Sequence, residues 1–590
     1  MKQFFKFMFA SMLGTILTFG LIFVVFLIMI AAVVALTEKD TTAPPAKSVL
    51  MLNLEDEIVE RGQDNPFSNL KFGGFNYAAP VGLNDILSCI KKAETDANIS
   101  GIYIESPTVG SGPASTEEIR NALLAFKKTG KFIISYGDMY SQKGYYLATA
   151  ADKIYINPQG YFELKGISAD VMFIKGLLDK LDIEAQIIRH GKYKSAIEPL
   201  IQDKMSPANK EQMQTMISSI WNHLVKGISE TRKLSAVDIN TLANGLKVTK
   251  ADQALNYKLV DSLVYKDGVY AVLHKLLKTK ADEKINFITL STYKDSPSTV
   301  KTESGKDKIA VIYASGDIVV GNEEENNIPS EVFAKAVRKA REDKNVKAIV
   351  LRINSPGGVM IAADIILREL KLAAKEKPIV SSFGDYAASG GYYIACASNY
   401  IIAQPTTITG SIGVFSIIPN LQKTLKNKLG ITVDGVKTND NAEYVSLLKP
   451  MTAFQKEVML RETESAYGTF IGYVAQNRKM TVANVDSIGQ GRVWTGADAL
   501  KIGLVDEIGS INRAIEKAAE LAKIKNYRLM TLPKMKDPMT QIMESISGKS
   551  KEEVFLKSHL GELYEYYSYI KFSQGYKGIQ ARLPWIIDLN

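Results

Sequence analysis

The chain has few of the residues from which disulfide scaffolds and metal sites are built. Its 590 residues include only two cysteines, Cys89 and Cys396, and four histidines. Both cysteines lie in apolar, helix-like segments, so we expect two buried free thiols, with no disulfide framework and no zinc site. The sequence has no His-Glu-x-x-His pattern, which argues against a metal hydrolase. We therefore expect chemistry that needs no metal and no cofactor.

A large excess of one sign of charge is also missing. The chain has 72 basic and 63 acidic residues, a net charge of +9, and the two kinds are interspersed. This distribution is typical of an ordinary solvated surface and excludes nucleic acid as an expected partner. The hydrophobic content of 46% is enough to bury several cores in a chain of this length.

Charge is absent near the start of the chain. No charged residue occurs in residues 7–37, whereas Lys2 and Lys6 precede this run. The run exceeds the roughly 20 residues that span a bilayer, and it is longer than the core of a cleavable signal. Small residues near its end leave cleavage open. Since the lysines favour a cytoplasmic N-terminus, we predict a signal anchor over residues 1–40 and an extracytoplasmic location for the rest.

One serine lies where a strand is predicted to turn into a helix. Residues 378–383 form a short, apolar, β-branched run, and residues 392–397 are typical of a buried helix start. Ser389 lies between them, is followed by Gly390, and has small neighbours that leave its hydroxyl accessible. Nucleophiles are placed on such turns, where free N–H groups can stabilise an anion. The alternative is a serine that only caps the helix.

A second motif precedes this turn by one βα unit. Residues 348–353 are predicted to form a strand that ends in Asn-Ser-Pro and then Gly357 and Gly358. Two glycines allow a sharp turn with unobstructed N–H groups, as an oxyanion hole requires. Such a pair is also common in tight turns. Together, in successive βα units of one parallel sheet, the two motifs indicate acyl chemistry.

An internal repeat runs through most of the chain. The matched positions include Gly137 with Gly384 and Gly144 with Gly391, at an offset of 247 residues, and residues 101–107 with 348–356. Both copies alternate strand-like with helix-like runs, which is typical of βαβ units.

We therefore predict an α/β protein with two tandem parallel-sheet domains. Its predicted parts are the anchor at 1–40, a first repeat at 47–294, a linker at 295–307, a second repeat at 308–525 and a C-terminal tail at 526–590. The tail contains a Tyr-rich stretch around Tyr566, to which we assign no function.

The two copies differ where chemistry is expected. The first copy has Gln142 for Ser389, Lys143 for Gly390, and Thr108 and Val109 for Gly357 and Gly358. Conversely, Lys194 of the first copy lies opposite Ala442 of the second. Since one copy has the serine and the other has the lysine, we predict a single composite site across both repeats. From spacing alone, His190, Lys192 and Asp385 remain alternatives to Lys194 as the base.

Four motifs carry a family resemblance. They are residues 193–199 (Tyr-Lys-Ser-Ala-Ile-Glu-Pro), 354–358, 386–393 and 409–414 (Thr-Gly-Ser-Ile-Gly-Val). Their order, on an anchored and duplicated chain, resembles the signal peptide peptidase (protease IV) family of serine peptidases, in its long bacterial form. The resemblance extends over residues 48–522.

The resemblance implies a Clp-protease/crotonase-like fold in each repeat and a Ser–Lys dyad. Ser389 matches the nucleophile, Lys194 the general base and Ser411 the hydroxyl that orients the lysine. Gly357 or Gly358, together with Gly390, matches the oxyanion-hole donors. The resemblance also implies a homotetramer attached to the bacterial plasma (inner) membrane, which degrades remnant signal peptides and other short hydrophobic peptides on the periplasmic side.

Lysine can act as a base only if its pKa falls. At its ordinary pKa it is protonated at neutral pH, but burial can lower the value by about 3–5 units. Two other functions remain open. One is a crotonase-like acyl-thioester enzyme, which would need acidic catalysts and a nucleotide pocket. The other is a non-catalytic membrane scaffold, which would not need Ser389, Lys194 and Gly357 to be retained together.

Overall fold

The computed structural model describes residues 2–36, 42–62, 80–297, 305–322, 327–535 and 578–583. Much of the predicted linker and most of the predicted tail, including the Tyr-rich stretch around Tyr566, lie outside these residues. The structure begins with helix α1 (Lys2–Leu36). Among the described residues, α1 contains the one helical segment, Gln3–Val25, that is long and apolar enough to cross a membrane, with a mean hydropathy of 2.2.

The first repeat consists of nine strands and ten α-helices in the described part of the chain. Its strands are β1 (Ser48–Leu52), β2 (Ile58–Val59), β3 (Val81–Gly82), β4 (Ile99–Ile104), β5 (Phe132–Gly137), β6 (Lys153–Ile156), β7 (Glu184–Arg189), β8 (Ser262–Leu263) and β9 (Phe287–Thr289). Its helices are α2 (Leu83–Thr95), α3 (Pro113–Lys127), α4 (Gln142–Ala148), α5 (Lys175–Lys180), α6 (Glu198–Ile201), α7 (Pro207–Arg232), α8 (Ala236–Asn244), α9 (Ala251–Asn256), α10 (Lys266–Leu277) and α11 (Leu290–Asp295). A short 3-10 helix, Ser195–Ile197, precedes α6.

The second repeat has eleven strands and eight α-helices in the described part of the chain. Its strands are β10 (Lys308–Ser315), β11 (Asp317–Val319), β12 (Asn327–Pro329), β13 (Val346–Ser355), β14 (Gly357–Val359), β15 (Ile379–Ala388), β16 (Tyr400–Ala403), β17 (Ile408–Gly410), β18 (Phe415–Asn420), β19 (Val493–Thr495) and β20 (Glu507–Ile508). Its helices are α12 (Ser330–Glu342), α13 (Met360–Ala374), α14 (Gly390–Ala395), α15 (Gln422–Leu429), α16 (Ala453–Arg478), α17 (Val482–Ile488), α18 (Gly496–Lys501) and α19 (Ile511–Ala522). Two further strands, β21 (Arg528–Leu532) and β22 (Gln580–Arg582), lie in the range predicted as a tail.

Each repeat is built on a sheet that is mainly parallel, as predicted. The first sheet has the order β8-β6-β5-β4-β1-β9, and the path of the second is β19-β17-β15-β13-β10-β21. Strands β13 and β15 are paired in parallel at the centre of the second sheet. Residues 348–353 of β13 are fully buried, because helices cover both faces of a parallel sheet. This explains why residues 348–353 are apolar except for Arg352.

The two repeats share a hydrophobic core. Ile119 and Leu123 of α3, in the first repeat, belong to the same buried cluster as Val350 of β13 and Val380 of β15. Helix α3 thus takes part in covering a face of the second repeat's sheet. Since burial of apolar surface is the main favourable term in folding, this shared core holds the repeats in a fixed relation.

A buried ion cluster also joins the repeats. The guanidinium of Arg352 in β13 lies 2.8 Å from a Glu60 carboxylate oxygen and 2.7 Å from one of Glu118, and both glutamates belong to the first repeat. The Arg352 side chain has no exposed surface. Removing one member of such a cluster leaves an uncompensated buried charge, which typically costs about 3–5 kcal/mol.

A third, mixed sheet combines strands from both repeats. Its order is β12-β11-β14-β22-β18-β7, so β7 of the first repeat extends a sheet of the second. Strand β7 runs antiparallel to β18, and Phe415 pairs with Arg189. This pairing brings the segment that follows β7, which contains Lys194, to the segment that precedes β18, which contains Ser411.

Candidate active site

Ser389 occupies the turn between β15 and α14, as the sequence predicts. Its backbone has φ 55° and ψ −113°, a conformation that non-glycine residues rarely adopt. The Ser389 N–H donates to the carbonyl of Gly410 (2.8 Å), and its own carbonyl accepts from Tyr393 N–H (2.8 Å). Strain of this kind persists where the surroundings fix it, as they do at functional sites.

The structure places Lys194 directly against Ser389. The Lys194 Nζ lies 2.9 Å from Ser389 Oγ, 2.9 Å from Ser411 Oγ and 3.1 Å from the Ser411 carbonyl oxygen. All three residues are fully buried. We expected an accessible hydroxyl at Ser389, and this expectation is wrong for the conformation described. Lys194 and strand β22 lie against the turn.

Burial determines the protonation of Lys194. Its pKa is lowered well below the ordinary value of 10.5, and the cause is desolvation. A charged ammonium in such a place loses the solvation that water would supply, so the neutral amine is favoured. Two of its three close oxygen neighbours belong to Ser411. The site thus holds an amine that can be neutral, beside a serine hydroxyl.

The glycines predicted to form an oxyanion hole lie beside the same turn. Gly357 and Gly358 have φ values of 106° and 158°, and the N–H of Gly357 donates to Ser355 Oγ (3.1 Å). A Cβ built at Gly357 would be 2.7 Å from the nitrogen of Gly390, too close for any other residue. Strand β14 and the start of α14 therefore meet at the glycines, with backbone N–H groups close to Ser389.

A glycine of the second repeat makes room for Lys194. Gly491 has φ +82°, and a Cβ there would lie 2.7 Å from both Cβ and N of Lys194. The neighbouring carbonyl of Gln490 accepts from Tyr193 N–H (3.0 Å). Backbone contact this close requires a glycine. Sequence reasoning missed Gly491; its only signal is the Gly-Gln-Gly stretch, which by itself predicts a turn.

Gln212 of α7 fixes the other side of the lysine segment. Its amide nitrogen donates to the Tyr193 carbonyl (3.0 Å) and to Ser195 Oγ (3.0 Å), and its carbonyl oxygen accepts from Val493 N–H (3.3 Å). One buried amide thus ties the residues on either side of Lys194 to strand β19 of the second repeat. No pattern in the sequence identified Gln212.

The three alternative bases have other contacts. Asp385 Oδ1 accepts from the N–H groups of Ala114 (2.9 Å) and Ser115 (3.1 Å), so it caps helix α3 of the first repeat. The His190 ring stacks on Tyr467 at 4.0 Å between centroids. Lys192 Nζ lies over the Tyr193 ring, 4.9 Å from its centroid. Of the four candidate bases, Lys194 is the one that the structure places within hydrogen-bonding distance of Ser389.

The corresponding place in the first repeat is closed by an amide. Gln142 Oε1 accepts from the N–H groups of Lys165 (3.1 Å) and Gly166 (3.0 Å), and its Nε2 donates to the Gly166 carbonyl (3.2 Å). With the repeat offset of 247 residues, Lys165 and Gly166 correspond to Ile412 and Gly413 of the second copy. In the first copy, the side chain at the position of Ser389 is therefore hydrogen-bonded to the segment that corresponds to the one after Ser411.

Comparisons with known proteins agree with this geometry. A family model described as "Peptidase family S49" matches residues 125–280 and 371–525, and one described as "Clp protease" matches residues 300–408. The chain is 37% identical over 521 residues to "Protease 4" of Salmonella typhi, covering 85% of this chain and 83% of the relative.

Two further relatives are similar over comparable lengths. "Protease 4" of Haemophilus influenzae is 34% identical over 523 residues, which are 86% of this chain and 84% of the relative. "Serine protease SPPA, chloroplastic" of Arabidopsis thaliana is 33% identical over 502 residues, which are 84% of this chain and 73% of the relative.

Fold and matches together define a serine-type peptidase made of two tandem Clp-protease-like domains. The chain belongs to peptidase family S49. The resemblance and the fold class predicted from the sequence are thereby confirmed. The acyl-thioester alternative finds no support, since the matched families are proteases.

Proposed function

We propose that the chain is a membrane-anchored serine endopeptidase in which Ser389 is the nucleophile and Lys194 is its general base. The observation that carries this proposal is the 2.9 Å distance between Lys194 Nζ and Ser389 Oγ inside a fully buried site. A nucleophile and a base within hydrogen-bonding reach are the minimum that acyl transfer by serine requires.

Ser411 orients the base in this proposal. A neutral amine has two N–H donors and one lone pair. If both donors are directed at the hydroxyl and carbonyl oxygens of Ser411, the lone pair is left for the hydroxyl proton of Ser389. Because desolvation lowers the pKa of Lys194 well below its ordinary value, the neutral amine is favoured without a carboxylate partner.

The reaction then proceeds in two steps. Lys194 accepts the hydroxyl proton as Ser389 Oγ attacks the peptide carbonyl carbon, and it passes that proton to the leaving amine when the C–N bond breaks. Water, deprotonated by Lys194, then attacks the acyl carbon, and Lys194 returns the proton to Ser389 Oγ as the ester C–O bond breaks. Backbone N–H groups stabilise the oxyanion in both steps. We assign these to Gly390 and Gly358, because the Gly357 N–H is bonded to Ser355.

The substrates that we propose are remnant signal peptides and other short hydrophobic peptides. Ala388, next to the nucleophile, belongs to an apolar cluster with Met213, Met216 and Ile220 of α7. An apolar side chain bound there gains about 25 cal/mol for each Å² removed from water. An anchor such as Gln3–Val25 would hold this cluster near peptides released from the bilayer.

We further propose that the catalytic part is extracytoplasmic and that the chain assembles as a homotetramer at the bacterial plasma membrane. The position of Lys2 and Lys6 before the apolar segment supports the orientation. Protease treatment of spheroplasts should remove the second repeat; protection there, with digestion only in inverted vesicles, would contradict the orientation. Light scattering in detergent should give the mass of four chains, and a monomer would contradict the assembly.

Turnover of a leucine-rich peptide by purified variants tests the proposed activity. Ser389→Ala should abolish cleavage, because no other hydroxyl occupies the turn. The matched control is Ser141→Ala, which removes a helix-capping serine at the equivalent turn of the first repeat and should retain cleavage. An acidic peptide of equal length should be cleaved poorly. Retained turnover in Ser389→Ala, or equal cleavage of both peptides, would overturn the nucleophile or the substrate class, respectively.

A further inference from the structure

The C-terminal strand β22 lies in the groove beside Ser389. On one side it runs antiparallel to β14, with Gly357 opposite Arg582 and Gly358 opposite Ala581. On the other side Gln580 pairs with Phe415 of β18. Strand β14 carries the glycines of the proposed oxyanion hole, and β18 follows the segment that contains Ser411, which contacts Lys194. A strand between these two is in the place where a peptide substrate would have to lie.

The hydrogen bonds fix which residue of β22 faces the hole. Met360 N–H donates to the Ile579 carbonyl (3.1 Å), and Leu583 N–H donates to the Pro356 carbonyl (2.7 Å). Hydrogen-bonded pairs in an antiparallel ladder alternate every second residue, so Gly358 and Ala581 form the pair between them. The carbonyl of Ala581 is thus directed at the Gly358 N–H, which is one of the two proposed oxyanion donors.

Contacts around the glycines agree with this register. A Cβ built at Gly357 would meet the Ala581 carbonyl oxygen at 2.2 Å, and one built at Gly390 would meet it at 3.0 Å. The oxygen therefore lies against both glycines that flank the hole. In a substrate, that position belongs to the carbonyl oxygen of the scissile bond. In β22, the equivalent bond joins Ala581 to Arg582.

The two side chains after Ala581 are each held by the groove. Arg582 Nη1 lies 2.8 Å from Asp317 Oδ2, and the two side chains are only 12% and 26% exposed. Leu583 is 4% exposed and packs in the apolar cluster with Met213, Met216 and Ala388. An acidic position and an apolar pocket thus receive two consecutive side chains of an extended strand.

We propose that residues 578–583 are an intramolecular substrate mimic, which occupies the peptide-binding groove and competes with peptide substrates. The same contacts make Asp317 a specificity residue, which favours a basic side chain directly after the scissile bond. This inference rests on the proposed function, since it identifies the groove of that same site.

A tethered competitor is effective because tethering raises its local concentration. A peptide that binds the groove must displace β22 first, which weakens its apparent affinity. Displacing β22 by substitution should therefore tighten the binding of an added peptide. These substitutions lie in β22 and do not change Ser389, Lys194 or the glycines of the proposed oxyanion hole.

Peptide binding to full-length Ser389→Ala tests this without depending on turnover. The probe is a fluorescein-labelled peptide with the sequence of residues 578–583, Gly-Ile-Gln-Ala-Arg-Leu. In this background, Arg582→Asp with Leu583→Asp places like charge beside Asp317 and a carboxylate in the apolar pocket. The matched control is Arg528→Asp with Leu529→Asp, an exposed Arg-Leu pair in β21.

The variant with Arg582→Asp and Leu583→Asp, called the displaced-strand variant, should bind the probe at least about tenfold more tightly than the control. Fluorescence anisotropy measures this affinity. A chain that ends at Lys577 should behave like the displaced-strand variant, and it replaces that variant if the latter does not fold. A probe with Glu in place of Arg should bind about tenfold more weakly, and Asp317→Asn should remove this difference.

Three results would contradict the inference in whole or in part, and they are distinguishable. Equal dissociation constants for the displaced-strand variant and the control would show that β22 does not compete, while the proposed peptidase groove would stand. Binding to neither protein would contradict the groove itself and the proposed function with it. If the Asp317→Asn protein still binds the Arg probe more tightly than the Glu probe, Asp317 does not determine this specificity.

Discussion

Lys194 Nζ and Ser389 Oγ lie 2.9 Å apart although 195 residues separate them in the chain. The lysine follows a strand of the first repeat, and the serine lies on a strand-to-helix turn of the second. Antiparallel pairing of β7 with β18 brings the two segments together. The first repeat contributes the lysine and the second contributes the serine, so the proposed dyad combines residues of both repeats.

Replacing the base with a permanent cation tests its role. Lys194→Arg should lower kcat by about 10²–10⁴, the range that general base catalysis contributes, because a guanidinium does not deprotonate in a protein. Lys192→Arg, an exposed neighbour, is the control and should keep near-normal turnover. Combining Lys194→Arg with Ser389→Ala should be no worse than Ser389→Ala alone, since groups that act as a unit are not additive.

Lys194 should also make stability depend on pH. Its pKa is lower in the folded protein than in the unfolded chain, so between these two values the unfolded chain binds a proton that the folded protein does not. Lowering the pH in this window therefore favours unfolding. In Lys194→Met this contribution is gone, so the melting temperature of the variant, relative to wild type, should be higher at pH 7 than at pH 10.

The control for this measurement is Lys192→Met, whose lysine is exposed. Its melting temperature relative to wild type should be the same at both pH values. If Lys194→Met shows no such pH dependence, the amine is charged in the folded protein and cannot be the base.

Gly491 should be required for catalysis through its contact with Lys194. Gly491→Ala places a Cβ 2.7 Å from Lys194 Cβ, which must displace the lysine. A displacement of about 1 Å can cost roughly 100-fold in rate. Gly430→Ala is the control, because Gly430 also has a positive φ (+66°) but has open space around it. Equal kcat in the two variants would show that close packing at Gly491 does not position the base.

Asp385 should matter for stability more than for chemistry. It caps α3 across the boundary between the repeats, so Asp385→Ala should lower the free energy of unfolding by about 1–2 kcal/mol. Turnover at low temperature should fall by less than about tenfold, well short of the loss of a general base. Asp440→Ala, at an exposed position, is the control for stability. A kcat loss in Asp385→Ala as large as in Lys194→Arg would make the aspartate part of the catalytic site.

Much of the fold and of the site was predictable because it rests on local patterns. Buried strands such as residues 348–353 are largely apolar runs, and Ser389 and Gly357 lie in motifs that turn a strand. The complementary difference between the copies made Lys194 one of four candidate bases, and the resemblance of residues 193–199 to a family motif singled it out. A single, unduplicated domain would have offered no such comparison.

Other features depend on contacts between distant segments, which leave no local pattern. Strand β22 has three residues and no periodicity, and its partner β14 lies more than 200 residues earlier. Asp385 is four residues from Ser389, and spacing alone cannot distinguish a helix cap from a base. Gly491 shows its role only through the lysine that packs on it.

The rate at which a fluorophosphonate labels Ser389 tests the composite dyad most directly, because it reports the reactivity of the nucleophile alone. The rate should be measured from pH 5 to 10 on wild type, Lys194→Ala and Lys192→Ala, with the labelled residue identified by peptide mass mapping. We predict that Ser389 carries the label, and that in wild type and Lys192→Ala the rate rises with pH through a midpoint well below 10.5. Lys194→Ala should label far more slowly and without this midpoint. Label on another residue, or an unchanged profile in Lys194→Ala, would contradict the account.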